Sequence, residues 1–390
     1  MREKVAAAIA DTYEPEEIRS ALEEIIGAVD GFAGIGPGTK VALKINMVHA
    51  GSPEKAITTH PVIVRELAGL LRERGALVRI GDSPGGLFTP EILKGIYRSC
   101  GYGICEEAGA ELNLDTSVRP VSFPGAAVLR SFSYTGWLDW ADCVIDVCKL
   151  KSHGMLKMTA AVKNLFGTIP GVMKPEYHMR FSNESDFTDM LIDLNEYFRP
   201  VLTICDAIDC MEGNGPTQGT KRHMGVLLAS RSTYSTDVVC EALLGMKPGE
   251  VPTVRRAAKR GLGPASPEEV EIVGDEEALW ARKIPDFDIP AATKGIDFGR
   301  EGSLGGRLIP FVMKTVLAAR PQVKDDGCIG CGKCADICPA HAITMEKDRP
   351  QIDRKQCIHC FCCQEFCPAG AMRVHRTFIA RLLTGGHRHG

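Results

Sequence analysis

Nine of the 16 cysteines in this 390-residue chain fall between Cys328 and Cys367, and no other feature restricts the fold as tightly. They form two runs, Cys328-x-x-Cys331-x-x-Cys334-x-x-x-Cys338-Pro339 and Cys357-x-x-Cys360-x-x-Cys363-x-x-x-Cys367-Pro368. Each cysteine of the first run returns 29 positions later, as do Pro339, Ala340 and Ala342, so the segment is an internal repeat. In a reducing compartment such a cluster reads as metal binding, not as a disulfide framework. Cys-x-x-Cys pairs also bind zinc, although zinc needs neither four cysteines per run nor a proline after the last. Cys362 lies outside the pattern, because only Cys363 keeps the 29-residue shift. It reads as a bystander thiol, with an alternative ligand as the other reading.

The spacing resembles that of the bacterial two-cluster ferredoxin, in which three close thiolates of one run hold one [4Fe–4S] cube and the fourth holds the other. Carried over residue by residue, the resemblance implies one cluster on Cys328, Cys331, Cys334 and Cys367. It implies a second on Cys357, Cys360, Cys363 and Cys338. Between the runs, AITMEKDRPQID alternates around a polar turn like a short hairpin. Residues 323–376 hold 8 Lys+Arg and 7 Asp+Glu, a net of +1. A freely diffusing carrier that docks by charge needs a stronger field, so this balance favours electron delivery within the chain.

The remaining composition is that of a soluble globular protein: 44% hydrophobic, 24% charged, formal net charge −3. Near-neutrality argues against a nucleic-acid binder, whose affinity rests on accumulated Lys and Arg. Apolar stretches fall short of the ~18 residues that span a bilayer, and the start of the chain does not read as a signal peptide, so a cytoplasmic location is expected. Residues 301–322 read as a Gly/Pro-punctuated connector with a short amphipathic helix, peripheral membrane contact being its other reading. Residues 377–390 form a tail whose His387 and His389 are too few for a metal site.

Residues 1–300 alternate apolar strands with helices, which predicts an α/β domain with a mostly parallel sheet and flanking helices, followed by a small α+β module. KVALKIN (40–46), ALVRI (76–80), CVIDVCKL (143–150), VLTIC (201–205), GVLLAS (225–230) and EVEIV (269–273) are the expected strands. HPVIVRELAGLLRERG places Ile63, Leu67, Leu70 and Leu71 on one helical face, and a second helix is expected from about 155 to 166. GFAGIGPG (31–38) precedes a strand instead of following one and reads as a turn, not a dinucleotide fingerprint.

In open α/β sheets ligands bind beyond the carboxyl ends of the strands, and here those ends are polar or glycine-rich. They comprise Lys44 and Asn46, the GDSPGG loop with Asp82, Gly85 and Gly86, the run Lys149, Lys151 and His153, and the loop from Asp206 through Gly213 and Gly215. The GDSPGG loop reads as an anion cradle or simply as a turn. Lys149, Lys151 and His153 project on one side of an extended segment, as an anion clamp with an acid or base or as a solvated basic edge. Lys163 and Asn164 lie on the apolar helix that follows. Asp206, Asp209 and Glu212 supply carboxylates for Mg²⁺ or for acid–base work, or cap turns.

Together KINM, GDSPGG, DVCKLKSH, AAVKNLFGTIPG, EYHMR and CDAIDCMEGNGPTQG resemble the family called domain of unknown function 362, often fused to a ferredoxin-like module. The resemblance implies a polar site built from Lys44, Asn46, Asp82, Lys149, Lys151, His153, Lys163, Asn164, His178, Asp206 and the GNGPTQG loop. It supplies no substrate.

The expected function is an oxidoreductase. Low-potential electrons from the clusters, delivered by a partner protein, reduce an anionic or carbonyl small molecule at the strand ends. His153 is the proton donor, and Lys149, Lys151, Lys163 and Asp206 complete the catalytic set. Asp82, Gly85, Gly86, Asn164, Gly213 and Gly215 hold the ligand. The rival readings are an electron carrier that docks a partner enzyme, and a metal-dependent non-redox enzyme with structural clusters.

Overall fold

The computed structural model describes residues 2–290, 320–324 and 326–375. Its α/β part is built on strands β1 (Lys4–Ile9), β2 (Lys40–Ile45), β3 (Leu77–Gly81) and β4 (Glu111–Leu112), a separate hairpin β5 (Val118–Ser122) and β6 (Ser131–Thr135), then β7 (Cys143–His153), β8 (Lys157–Thr159), β9 (Leu202–Glu212), β10 (Thr220–Ser230) and β11 (Glu271–Val273). The main sheet runs β11-β1-β10-β9-β7-β2-β3-β4, with β8 paired to β7. The stretch from β9 to β4 is parallel throughout, as are β1 and β11, while β10 runs antiparallel to both of its neighbours.

Helices cover both faces, which is why the central strands read as unbroken apolar runs. On β2, Val41, Leu43 and Ile45 enter the core beneath the helices Pro15–Ala28 and Pro61–Glu73, while Ala42 packs on Trp137 on the opposite face. Lys44 shares that opposite face by the period-two rule and is fully buried.

Three sequence expectations change. The helix expected over 155–166 is a tight turn, then β8 antiparallel to the end of β7, then one helical turn, Ala161–Asn164. The turn is held by His153 Nδ1, which accepts the backbone N–H groups of Met155 and Leu156 at 3.1 Å each. The predicted loop from Asp206 is instead strand as far as Glu212, because β10 pairs with it on both sides of a register shift between His223 and Val226. Asp206, Asp209 and Glu212 therefore sit on a strand. Lys4–Ile9, too short and alanine-rich to register as a strand from the sequence, pairs on both edges.

The C-terminal module starts earlier than expected. Strand β12 (Arg320–Val323) pairs with β15 (Met372–His375), and β13 (Ile343–Glu346) forms the predicted hairpin with β14 (Arg349–Ile352). The 29-residue shift carries β12 onto β14, the short helix Lys333–Asp336 onto Cys362–Glu365, and β13 onto β15. The repeat thus includes β12, which the sequence reading gave to the connector. The connector helix and the tail lie outside the described residues.

The module sits on the α/β domain. Gln364 Nε2 donates to the carbonyls of Asn214 and Gly215 and to Asn214 Oδ1. Gln218 Nε2 donates to the Cys367 carbonyl, Thr217 Oγ1 to Glu365 and Asn214 Nδ2 to Met372. The GNGPTQG loop is accordingly a docking loop. The docking face is where the second run departs from the first: Phe361, Cys362, Gln364 and Phe366 stand where Gly332, Lys333, Ala335 and Ile337 stand in the first run. Cys362 is fully buried there. Phe361 keeps the left-handed conformation of Gly332, at φ 60°. That conformation costs about 1–2 kcal/mol for a side-chain-bearing residue, and burial of the ring at the junction offsets it.

Candidate functional site

Two apolar cavities inside the module are each walled by four thiols. One is lined by Cys328, Cys331, Cys334 and Cys367, the other by Cys338, Cys357, Cys360 and Cys363, so each run contributes one cysteine to the other's cavity. Around them stand Val323, Met345 and Met372 in one case and Pro339, Ile343 and Phe361 in the other. The backbone N–H of Ala342 points at Cys338 Sγ and that of Ala371 at Cys367 Sγ, both at 3.3 Å. Among the described residues no three His, Cys, Asp or Glu side chains converge as ligands of a single ion. Thiols spread around a volume, with N–H groups on sulfur, suit a multi-iron cube, not zinc.

A third cavity, of about 40 Å³, lies at the junction of the two parts. From the α/β domain it is lined by Asn46, Asp82, Gly85, Lys151, Lys163, Asn164, Phe166 and Lys174, and from the module by Glu365 and Phe366. It adjoins a groove of about 1120 Å³, Gly85 and Phe366 belonging to both.

The sheet sorts the lysines into two kinds. Lys44 is paired with Asp82 at 2.9 Å, and Asp82 also accepts the N–H groups of Met47 and Ser83. Lys149 is paired with Asp206 at 2.8 Å under the hydroxyl of Tyr13, whose ring stacks on His60. These two ion pairs are neutral overall. Among the described residues Lys151, by contrast, donates only to Asn46 Oδ1 and the Ile57 carbonyl, each at 2.7 Å. Among the described residues Lys174 donates only to the Ser83 carbonyl. Lys163 has no hydrogen-bond or ion-pair partner among the described residues, lies 5.7 Å from the Phe166 ring centroid, and is only 9% exposed.

Burial brings both Lys151 and Lys174 down to about 7, helped at Lys151 by Lys163 and at Lys174 by Lys44. Glu365 pulls the other way on both.

The lysines are held by a buried polar lattice. Asn164 Nδ2 donates to Asp146, and its Oδ1 accepts from Asn46, whose own Oδ1 accepts from Lys151. Asp237, raised to about 8 by burial, accepts the N–H of Ala161 at the start of the helical turn that carries Lys163 and Asn164. Asn195 ties down the carbonyl of Val162.

Of the residues expected from sequence, Lys151, Lys163, Asn164, Asp82 and Gly85 line this cavity, and Lys44 stands behind it. His153 and His178 are not among the residues that line it, although the charge of Lys163 disfavours protonation of both. Burial first, and Lys163 after it, holds His153 well below the ordinary imidazole range, which favours its neutral form. Lys149 and Asp206 neutralise each other away from the cavity. Gly85 donates its N–H to Val48, and Ser83 gives its own to Gly167 and Asp82, so the GDSPGG loop is a wall and not a cradle. Gly86 lines the groove.

Gly213 and Gly215 belong to the docking loop: the Gly213 carbonyl accepts from Ser152, and the Gly215 carbonyl from Gln364. The carboxylates considered for Mg²⁺ do not converge. Asp209 is met by Lys221 and His223, and Glu212 by Arg222 and the N–H of Asp288. Sequence reasoning missed Lys174, Glu365 and Phe366. The signal for Phe366 was the departure of the second cysteine run from the first, where Ile337 stands in its place; Glu365 only replaces Asp336 and gave no such signal.

The sequence model described as "Domain of unknown function (DUF362)" matches residues 41–242, more than half of the chain. A thylakoid-associated protein of Synechocystis sp. is 31% identical over 308 residues, covering 77% of this chain and 91% of the relative. The chain belongs to the DUF362 family. A 4Fe-4S dicluster domain matches residues 327–371, which makes this DUF362 member an iron–sulfur protein. The junction cavity lies between the two matched regions and takes side chains from each.

Among solved structures, the lactate racemase apoprotein from Thermoanaerobacterium thermosaccharolyticum aligns at TM-score 0.39 and 10% identity over 63% of this chain and 57% of its own. A Thermotoga maritima protein aligns at 0.35 and 11% over 57% of each. Among the described residues of the DUF362 chain, no helix is long and apolar enough to cross a membrane.

Proposed function

We propose that the protein is an oxidoreductase that carries two [4Fe–4S] clusters and reduces a small anionic, carbonyl-bearing molecule in the junction cavity. One cluster would sit on Cys328, Cys331, Cys334 and Cys367, the other on Cys338, Cys357, Cys360 and Cys363. One observation carries the reading: the stretch from Cys363 to Cys367, which joins a ligand of each cluster, places Glu365 and Phe366 on the wall of a cavity that also holds Lys151, Lys163 and Lys174.

Reduction of a carbonyl to the carbinol takes two protons and two electrons, and the clusters supply the electrons singly after reduction by a partner protein. Lys163 meets the negative charge of the molecule. Lys151 and Lys174, able to lose a proton near neutral pH, supply protons to the carbonyl oxygen and carbon. The Lys44–Asp82 and Lys149–Asp206 pairs hold the strand ends in place. The free thiols and the clusters suit a reducing compartment, the cytoplasm, and the thylakoid association of the Synechocystis relative makes a membrane surface the alternative.

The test is reoxidation of anaerobically reduced protein on adding fractionated cell metabolites, followed by cluster absorbance. A small-molecule fraction should speed reoxidation of the wild type and leave Lys163→Ala unchanged. Reoxidation by protein fractions alone would replace this reading with that of an electron carrier.

A further inference from the structure

We infer that the junction cavity is a site for a doubly charged oxyanion, the two carboxylates of a short dicarboxylate or one phosphoryl group, held by Lys151, Lys163 and Lys174 together. The inference rests on the reading of this cavity as the ligand site and adds the charge that the ligand carries. All three lysines line the one space. The Phe166 ring lines it too, and its centroid lies 5.7 Å from the Lys163 ammonium and 6.0 Å from that of Lys174. The Lys151 ammonium is pinned by Asn46, another residue of the same wall.

The three ammoniums have donors to spare, since each carries three N–H groups. Among the described residues Lys163 uses none of them, Lys174 one, on the Ser83 carbonyl, and Lys151 two, on Asn46 Oδ1 and the Ile57 carbonyl. None of these acceptors is charged. Among the described residues no carboxylate stands within ion-pair distance of any of the three.

Charge decides which ligand belongs there. Asp82, on the same wall, is already cancelled by Lys44 at 2.9 Å. Among the described residues the wall has one other carboxylate, Glu365 from the module. Three ammoniums against that one carboxylate leave two positive charges, and a buried charge without compensation is costly. The excess is otherwise shed as protons, and burial accordingly brings Lys151 and Lys174 down to about 7. A singly charged ligand balances half of the excess; a dianion balances all of it. A metal cation is repelled by the same charges.

Volume sets the size of the charged end. About 40 Å³ gives room for about three water-sized groups, which suits a phosphoryl group or two adjacent carboxylates. A longer ligand extends past Gly85 and Phe366 into the groove.

The test uses the full chain with its clusters loaded and oxidised, at about pH 6, where Lys151 and Lys174 carry their protons. Sulfate, oxalate and formate are titrated separately by calorimetry, as a tetrahedral dianion, a planar dianion and a single charge, with cluster absorbance followed throughout. At least one dianion should bind about tenfold tighter than formate, and the tighter of the two assigns the group as phosphoryl or dicarboxylate. Lys163→Met removes one of the two excess charges and should cut that preference to about threefold or less. Glu365→Gln adds one and should tighten dianion binding about threefold, a gain that a misfolded variant does not produce.

Formate bound as tightly as both dianions, no binding of any of the three, or a preference unmoved by either variant would each overturn the inference. The comparison in the wild type stands even if Lys163→Met fails to fold. Dianion binding, with reduced clusters that no small-molecule fraction reoxidises, would overturn the oxidoreductase reading alone.

Discussion

The side-chain amide of Gln364 meets Asn214 twice, at 3.0 Å on the carbonyl and 3.1 Å on Oδ1, across the junction of the two parts. Gln364 is 1% exposed, and its counterpart in the first run, Ala335, has no amide to offer. Gln364→Ala strands the acceptors of Asn214 and Gly215, a loss of about 1–3 kcal/mol. Hydrogen exchange should rise across residues 213–219, while the iron content of the module stays unchanged.

Gly85 lies directly under Phe366, and a Cβ there would fall inside the ring. Gly85→Ala should displace Phe366 from the cavity wall at a cost of about 1–3 kcal/mol. Adding Phe366→Ala in the same chain removes the clash. A double-mutant cycle on the thermal midpoint should then show the two changes to be strongly non-additive.

The four thiols that wall each cavity cross between the runs, and the proposed ligation follows them. Cys367→Ala should therefore abolish the cluster held by Cys328, Cys331 and Cys334, and Cys338→Ala the one held by Cys357, Cys360 and Cys363. Each variant should lose half of its iron and labile sulfide. Loss of the cluster belonging to the mutated residue's own run would contradict the crossed assignment.

Lys151 and Lys174, brought down to about 7, lose their charge just where most enzymes work. Lys151 is faced by Lys163, Lys149, Glu365 and Asp82, and Lys174 by Asp82, Lys44, Glu365 and Lys163. A bound anion favours the ammonium form, so anion affinity is greatest below pH 7 and declines as pH rises through it, calorimetry being the check.

Stability is a poorer readout, because its contributions oppose one another. The folded chain binds fewer lysine protons than the unfolded chain between about pH 7 and 10.4, so the lysines make stability rise with pH across that window. Asp237, raised to about 8 from 3.8, binds more protons when folded, so stability falls as pH climbs through that range.

Much of the molecule was legible in the chain. Strands β2, β7 and β9 announce themselves as apolar runs because both of their faces are covered. The hairpin of β13 and β14 shows as alternation around Lys347 and Asp348, both at positive φ as a two-residue turn requires. The helix expected after His153 failed because Met155 and Leu156 give their N–H groups to an imidazole, which no helical periodicity can register.

The sequence by itself determined the cysteine repeat and with it the paired architecture of the module, since a 29-residue shift repeats every turn, helix and strand. It also determined that lysines, asparagines and histidines gather at the strand ends. Only the tertiary structure decided which of them are free. Lys149 and Lys151 are two residues apart, yet a register shift between them sends one to Asp206 on β9 and the other to Asn46 beyond β2. Glu365 and Phe366 joined the cavity solely because the module docks over it. Coulomb energy and hydrogen bonding depend on distances through space, and those distances are set by packing between segments far apart in the chain.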